Sequence, residues 1–109
     1  MSILFIQTGG SIDKDYPTGD DNDGYGFVIA QPTFERILSY IKPSFEFQTR
    51  TVLKKDSLDI TDEDRLMILN ACREAKNTRI VITHGTDTIL ITAELLSQIR
   101  DKTIVLTMA

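Results

Sequence analysis

Two short strings govern what this chain can fold into. Thr8-Gly9-Gly10-Ser11-Ile12 follows the apolar run Ile3-Leu4-Phe5-Ile6, and His84-Gly85-Thr86-Asp87-Thr88 follows the apolar run Ile80-Val81-Ile82. Each is the pattern of a buried strand that ends in a turn rich in Gly and Thr. If the two strands are parallel neighbours, both turns open at the same carboxyl edge of one sheet, which is where open α/β sheets take their ligands. Two threonines and one aspartate, distant in sequence, would then converge on one small molecule.

The remaining residues supply the other elements of such a sheet. Residues 2–7 read as the first strand, short, continuous and apolar. Residues 8–30 are irregular, hold five of the six glycines and carry aspartates at 13, 15, 20, 21 and 23. A loop this long inside a compact domain tends to be functional, as a lid or binding loop; its plainer reading, which does not exclude a lid role, is a solvated acidic loop or a small hairpin with Tyr25-Gly26-Phe27-Val28-Ile29 as its return strand. Gln31-Pro32 opens a helix, Phe34, Ile37, Leu38 and Ile41 form its buried stripe, and Pro43 stops it. Residues 45–53 alternate and are rich in aromatic and β-branched types, so they read as the second strand. Asp56-Ser57-Leu58-Asp59-Ile60 is a turn, and Thr61 caps a second helix whose first turn carries Asp62, Glu63 and Asp64. Ile68, Leu69, Ala71, Cys72 and Ala75 mark the apolar side of that helix, and Asn77 its end. Residues 79–83 form the third strand. Residues 88–100 form the third helix, with Ile89, Thr92, Ala93, Leu96 and Ile99 at helical spacing, and residues 103–107 form the fourth strand.

The alternation of strands and helices predicts an α/β fold with parallel pairing and right-handed crossovers. We expect a single domain over residues 1–109: an open, mainly parallel sheet of about four strands in the order 2-1-3-4, with helices on both faces, Rossmann-like or flavodoxin-like. That order sets the ends of strands one and three side by side. The edge strand after the third helix is raw and seeks a partner or more chain.

Composition narrows the partners. A net charge of −4 is not the basic balance that binding nucleic acid or an anionic membrane surface requires. No run approaches the roughly 18 apolar residues of a membrane span. The first strand begins at residue 2 or 3, so no signal peptide is expected before it, and a cytoplasmic location is the expectation. The lone Cys72 has no internal disulfide partner and reads as a small buried hydrophobe.

The turns offer specific chemistry. Thr8 is placed like a nucleophile, and Gly9 and Gly10 allow a tight turn whose N–H groups can approach a developing oxyanion. A threonine hydroxyl is weak until a neighbour takes its proton, and Tyr25 or Thr86 with Asp87 are the candidates for that task. The competing reading of Thr-Gly-Gly is a turn that merely ends a strand. A phosphate cradle is disfavoured, because no helix pattern follows Gly10 at once and no Gly-Lys-Ser/Thr is present. His84, the only histidine, reads first as a structural hydrogen-bonder and only second as a base. No second His or Cys stands at ligand spacing, so no metal is expected. Asp87 is either a helix cap or the receptor for an ammonium group, with Thr86 beside it to orient a water. Ser57 is either a turn residue or a donor to a carboxylate near the second helix N-terminus. Ammonium receptor, carboxylate receptor and nucleophilic hydroxyl together describe a site for an amino acid with a reactive side chain.

Thr8-Gly9-Gly10-Ser11-Ile12 and His84-Gly85-Thr86-Asp87-Thr88 resemble the two signature motifs of the bacterial-type L-asparaginase family. Asp56-Ser57-Leu58-Asp59-Ile60-Thr61 is similar to the family's serine-bearing substrate loop, Asp23-Gly24-Tyr25 to the tyrosine segment of its lid, and residues 102–107 to the strand after its third helix. The likeness covers essentially the whole chain and is nearest to the short, stand-alone asparaginase-like proteins. It implies the asparaginase N-terminal domain fold and hydrolysis of L-asparagine, or a related side-chain amide, to L-aspartate and ammonia. By the same resemblance Thr8 is the nucleophile, Tyr25 closes over the site and assists it, and Thr86 serves the water-dependent half-reaction. Asp87 binds the substrate's α-ammonium, Ser57 its α-carboxylate, and Gly9 also lines the substrate. The family uses no cofactor, acts on a small amino acid and assembles as a dimer or tetramer. Ser11 replaces the usual threonine, and Leu58 stands where many members carry a polar residue. The family's catalytic lysine follows the fourth strand, and Lys14, Lys54, Lys55 and Lys102 do not occupy that motif. The alternative function is a non-catalytic amino-acid binding module, or a partial subunit of an amidohydrolase.

Overall fold

The first strand is apolar on both sides of its pleat, a pattern that suits a strand covered on both faces. In the computed structural model, which describes residues 2–10, 14–15, 28–29 and 32–108, that strand lies inside the sheet. The elements are β1 (Ser2–Gln7), β2 (Lys14–Asp15), β3 (Val28–Ile29), α1 (Thr33–Ile41), β4 (Glu46–Thr51), a 3-10 turn (Ser57–Asp59), α2 (Asp62–Glu74), β5 (Arg79–His84), α3 (Ile89–Leu96) and β6 (Thr103–Met108). The main sheet runs β4-β1-β5-β6, and every pairing in it is parallel. Counted along the chain, this is the expected order of second, first, third and fourth strand. Within the irregular 8–30 stretch, β2 pairs antiparallel with β3, as the hairpin reading requires. Tyr25 and most of the predicted lid lie outside the described residues.

Pleat alternation divides the core. Leu4, Ile6, Ile80 and Ile82 share one buried cluster with Ile68, Leu69, Ala71 and Cys72 of α2 and Leu96 of α3. Phe5 faces the other way, and its ring lies 5.4 Å from that of Phe34 on α1 and 6.2 Å from that of Phe47 on β4. Helices therefore cover both faces, as predicted. Burial of Cys72 pushes its thiol up to about 11, against the pull of the nearby Lys102 and Arg50 cations.

Element ends follow local chemistry. Thr61 caps α2 in a reciprocal box: its hydroxyl accepts from the Asp64 N–H at 3.1 Å, and the Asp64 carboxylate accepts from the Thr61 N–H at 3.0 Å. The helix ends at Glu74 rather than Asn77, because the Asn77 amide is committed to the carbonyl and hydroxyl of Ser2. Lys42, left-handed at φ 45°, closes α1 before Pro43 by donating its N–H to Leu38. The α1 stripe is narrower than expected. Phe34 and Leu38 are buried, whereas Ile37 and Ile41 are exposed, and it is Phe34 that meets the sheet, at Phe5. The second strand is also shorter than residues 45–53: Val52 and Leu53 leave the ladder and both donate to the Gln7 carbonyl, at 3.0 and 3.3 Å. The third helix stops at Leu96, four residues before the expected end. Among the described residues no helix is long and apolar enough to cross a membrane.

Register is what places the site. Gln7 stands opposite Thr51 on one side and Thr83 on the other. The turns after β1 and β5 therefore start level with each other at the carboxyl edge of the sheet.

Candidate active site

Thr8 is the first residue past β1, and it is held on three sides. Its N–H and its hydroxyl both donate to the Thr83 carbonyl, at 3.2 and 2.7 Å. Its own carbonyl accepts from the Lys55 N–H at 3.0 Å, which ties it to the chain leaving β4. The side chain is fully buried. A carbonyl accepts a hydrogen bond but does not take the proton, so Thr8 stands here as a positioned alcohol.

The two glycines after Thr8 set how close the neighbouring turn comes. Gly9 and Gly10 have φ of 121° and 97°, a region L side chains rarely adopt. A Cβ on Gly10 would lie 2.7 Å from the Gly85 nitrogen and 2.8 Å from its Cα. A Cβ on Gly85 would in turn lie 2.9 Å from the Ser57 Oγ. Three turns are thus stacked without room for a methyl between them: Thr8-Gly9-Gly10, His84-Gly85-Thr86-Asp87 and the 3-10 turn at Ser57. The turns that the strand order sets side by side are in contact at Gly10, Gly85 and Ser57.

Ser57 joins the third turn to the second. It is buried. Its Oγ accepts from the Thr88 N–H at 3.2 Å and donates to the Asp87 Oδ2 at 3.4 Å, and its carbonyl accepts from the Thr88 hydroxyl at 2.8 Å. Asp87 and Thr86 are exposed. Thr88, not Asp87, is the cap residue of α3, and no side-chain capping bond forms there. The Asp87 carboxylate is therefore oriented by Ser57 rather than spent on the helix. Leu58, the residue after Ser57, is exposed.

His84 is fully buried, with Nδ1 2.7 Å from the Gly85 carbonyl oxygen and Nε2 2.9 Å from the Thr92 Oγ1. The Arg65 Nε–H donates to the same Thr92 oxygen at 3.2 Å, and its Nη1 reaches Asp62 at 3.4 Å. Burial, with a smaller push from the Arg65 cation, lowers the His84 pKa against the pull of the Gly85 carbonyl. This agrees with the structural reading of His84. Arg65 and Thr92 were not foreseen as partners. The available signal was a hydroxyl within the apolar stripe of the third helix, since a buried hydroxyl needs a partner. Nearby, the Lys55 ammonium sits 2.7 Å from the Asp64 carboxylate and, with the Thr61 N–H, holds that carboxyl below its ordinary range. Among the described residues no trio of His, Cys, Asp or Glu gathers to hold a metal ion.

Residues 2–109 match the family model described as Asparaginase, N-terminal. Among solved structures, the chain is similar to the thermostable L-asparaginase from Thermococcus kodakarensis, with 31% identity and a TM-score of 0.77 over 99% of this chain and 34% of that one. It is also similar to a probable cytoplasmic L-asparaginase from Campylobacter jejuni, with 26% identity and a TM-score of 0.70 over 98% of this chain and 34% of that one. The chain thus spans about a third of the length of these structures. No curated protein matches significantly.

Proposed function

The chain belongs to the asparaginase family, matching its N-terminal domain, and from that premise we propose that it binds a small amino acid at the shared edge of β1 and β5 and hydrolyses a side-chain amide there. The substrate is L-asparagine or a close relative, and the products are L-aspartate and ammonia. The observation that carries this reading is the contact of Gly10 with Gly85 and of Gly85 with Ser57, which brings the Thr8, Thr86, Asp87 and Ser57 turns to one place.

In the proposed reaction the Thr8 Oγ attacks the amide carbon, and the Thr8 proton passes to the departing nitrogen through an activating neighbour, with Tyr25 in that role. The carbon–nitrogen bond breaks, ammonia leaves and an ester to Thr8 remains. The Gly9 and Gly10 N–H groups stabilise the oxyanion. Water held by Thr86 then splits the ester, releasing aspartate and restoring the Thr8 hydroxyl. Asp87 receives the α-ammonium and Ser57 the α-carboxylate. The description of the Campylobacter jejuni neighbour supports a cytoplasmic setting, and a dimer or tetramer is the proposed assembly. A second reading, amino-acid binding without turnover, is favoured by one observation: the Thr8 hydroxyl is buried and donates to a carbonyl.

The test pairs an ammonia-release assay on asparagine and glutamine with calorimetry of aspartate binding. Turnover by the wild-type chain that is lost in Thr8→Ala, with aspartate still bound, is the expected result. Binding without turnover in either protein establishes the second reading. Failure of aspartate to bind at millimolar concentration overturns both.

A further inference from the structure

His84 closes β5 inside the molecule, and the identity of its neighbours fixes the direction of every hydrogen bond around it. A backbone carbonyl only accepts, so the Nδ1 facing the Gly85 oxygen at 2.7 Å carries the proton. An arginine only donates, so the Arg65 Nε–H gives its hydrogen to the Thr92 oxygen at 3.2 Å. The ring is fully buried with the Arg65 cation beyond Thr92, an environment that keeps an imidazole neutral. Its Nε2 is then an acceptor, and the Thr92 hydroxyl donates to it across 2.9 Å. Arg65 itself is anchored outward on Asp62.

We propose that this one-way chain, Arg65 to Thr92 to His84 to the Gly85 carbonyl, is a positioning device for the turn that carries Thr86 and Asp87. The mechanism is geometric. In a trans peptide the carbonyl of one residue and the N–H of the next point in opposite directions, and no cis peptide occurs among the described residues. By holding the Gly85 oxygen, His84 fixes the plane of the Gly85–Thr86 peptide and turns the Thr86 N–H away from the ring. Gly10 and Ser57 pack against the same glycine, so its backbone is constrained by both neighbouring turns and by its oxygen. His84 acts through Gly85 and is a positioning residue. The purpose of the turn rests on the proposed amino-acid site, whereas the hydrogen-bond chain does not.

His84 is the only histidine in the sequence, so its ring nitrogens give unambiguous NMR signals in the whole chain. At neutral pH we expect Nδ1 in the protonated range and Nε2 in the unprotonated range, with the ring still neutral when the pH falls somewhat below the ordinary histidine value of 6.5. Thr92→Val, which takes the donor away from Nε2, should shift the Nε2 resonance, move the amide resonances of Gly85, Thr86 and Asp87, and weaken aspartate binding about tenfold, or about 1.4 kcal/mol. Thr92→Ser, which keeps the hydroxyl, should restore all three. A wild-type ring that carries its proton on Nε2 or exchanges tautomers overturns the proposal, as does Thr92→Val leaving the 85–87 amides in place. If Thr92→Val does not fold, the wild-type tautomer and Thr92→Ser decide. If the wild-type chain does not bind aspartate, the proposed function fails, while the ring and amide signals still judge the relay.

Discussion

Gly10→Ala tests the stacked turns directly, because both penalties of the substitution can be read from the backbone. The first is conformational. An alanine at φ 97° occupies a region that costs a non-glycine residue on the order of 1–3 kcal/mol. The second is steric. The new methyl would lie 2.7 Å from the Gly85 nitrogen, 2.8 Å from its Cα and 2.9 Å from the His84 carbonyl carbon. All three are backbone atoms, so no side chain can swing aside. Ordinary contact begins at 3.4 Å, and the difference from 2.7 Å is a separation of about 0.7 Å that the two turns must acquire. Forcing extra atoms into a packed site costs typically about 1–3 kcal/mol. The sum is about 2–6 kcal/mol, a large part of the roughly 5–15 kcal/mol that stabilises a domain. Urea unfolding followed by circular dichroism should show that loss. Where the variant remains folded, the proposed turnover should drop steeply, since a misplacement near 1 Å can cost about a hundredfold in rate. A stability within about 0.5 kcal/mol of wild type, the range of a neutral surface change, would refute the close approach and with it the convergence of the site.

Asp87→Ala should weaken aspartate binding by about 1–3 kcal/mol, the scale of a lost charged hydrogen bond, with little change in unfolding midpoint because the residue is exposed; calorimetry and urea titration read the two separately. Ser57→Ala should cost both stability and affinity, since one oxygen serves Thr88 and Asp87; equal affinity to wild type would remove Ser57 from the binding site. The buried His84 has a folded pKa below its ordinary 6.5, so its contribution to stability is complete above 6.5 and is lost as the pH falls below it toward the folded value. Unfolding midpoints on either side of pH 6.5 check this, and Asp64 adds its own loss only as the pH falls below 3.8. Cys72, buried and raised to about 11, should resist thiol reagents at mildly alkaline pH and react at the rate of unfolding.

How much of this was legible in the chain depends on whether each feature is local. The four sheet strands, their order and the Thr61 cap follow from short-range patterns, because apolar runs, crossover handedness and a Thr-x-x-Asp box are written within a few residues. Two glycines at the turns marked close approach, but which backbones meet is a matter of register: Gly10 and Gly85 touch because Gln7 pairs with Thr83. Periodicity makes the α1 stripe wider than the structure does, because it states which residues share a helix face, not how much sheet lies opposite. Ile37 and Ile41 share the face of Phe34 and Leu38, yet only the latter pair is buried. Of the Arg65–Thr92–His84 chain, the sequence carries only the Thr92 hydroxyl within an apolar stripe, and not its partners. Its members come from two helices and a strand, and their meeting depends on how α2 and α3 pack.

The hydrogen bonds of the site also rank what a ligand can change. The Thr8 hydroxyl bond to the Thr83 carbonyl is 2.7 Å long and buried, whereas the Ser57 hydroxyl reaches Asp87 across 3.4 Å with the carboxylate exposed. The first lies within the ordinary range for an O–H donor and the second lies outside it, so the second is far cheaper to exchange. In the proposed site a zwitterion would suit that exchange: its carboxylate would take the Ser57 hydroxyl and its ammonium the Asp87 carboxylate, replacing one stretched bond by two charge-assisted ones. Attack by Thr8 would ask for more, because its buried hydroxyl must first leave a short bond to the Thr83 carbonyl. For the proposed function this order would separate capture from chemistry: an amino acid at Ser57 and Asp87 would displace only the stretched bond, and Thr8 would act as a nucleophile only when a further group supplied it with a base.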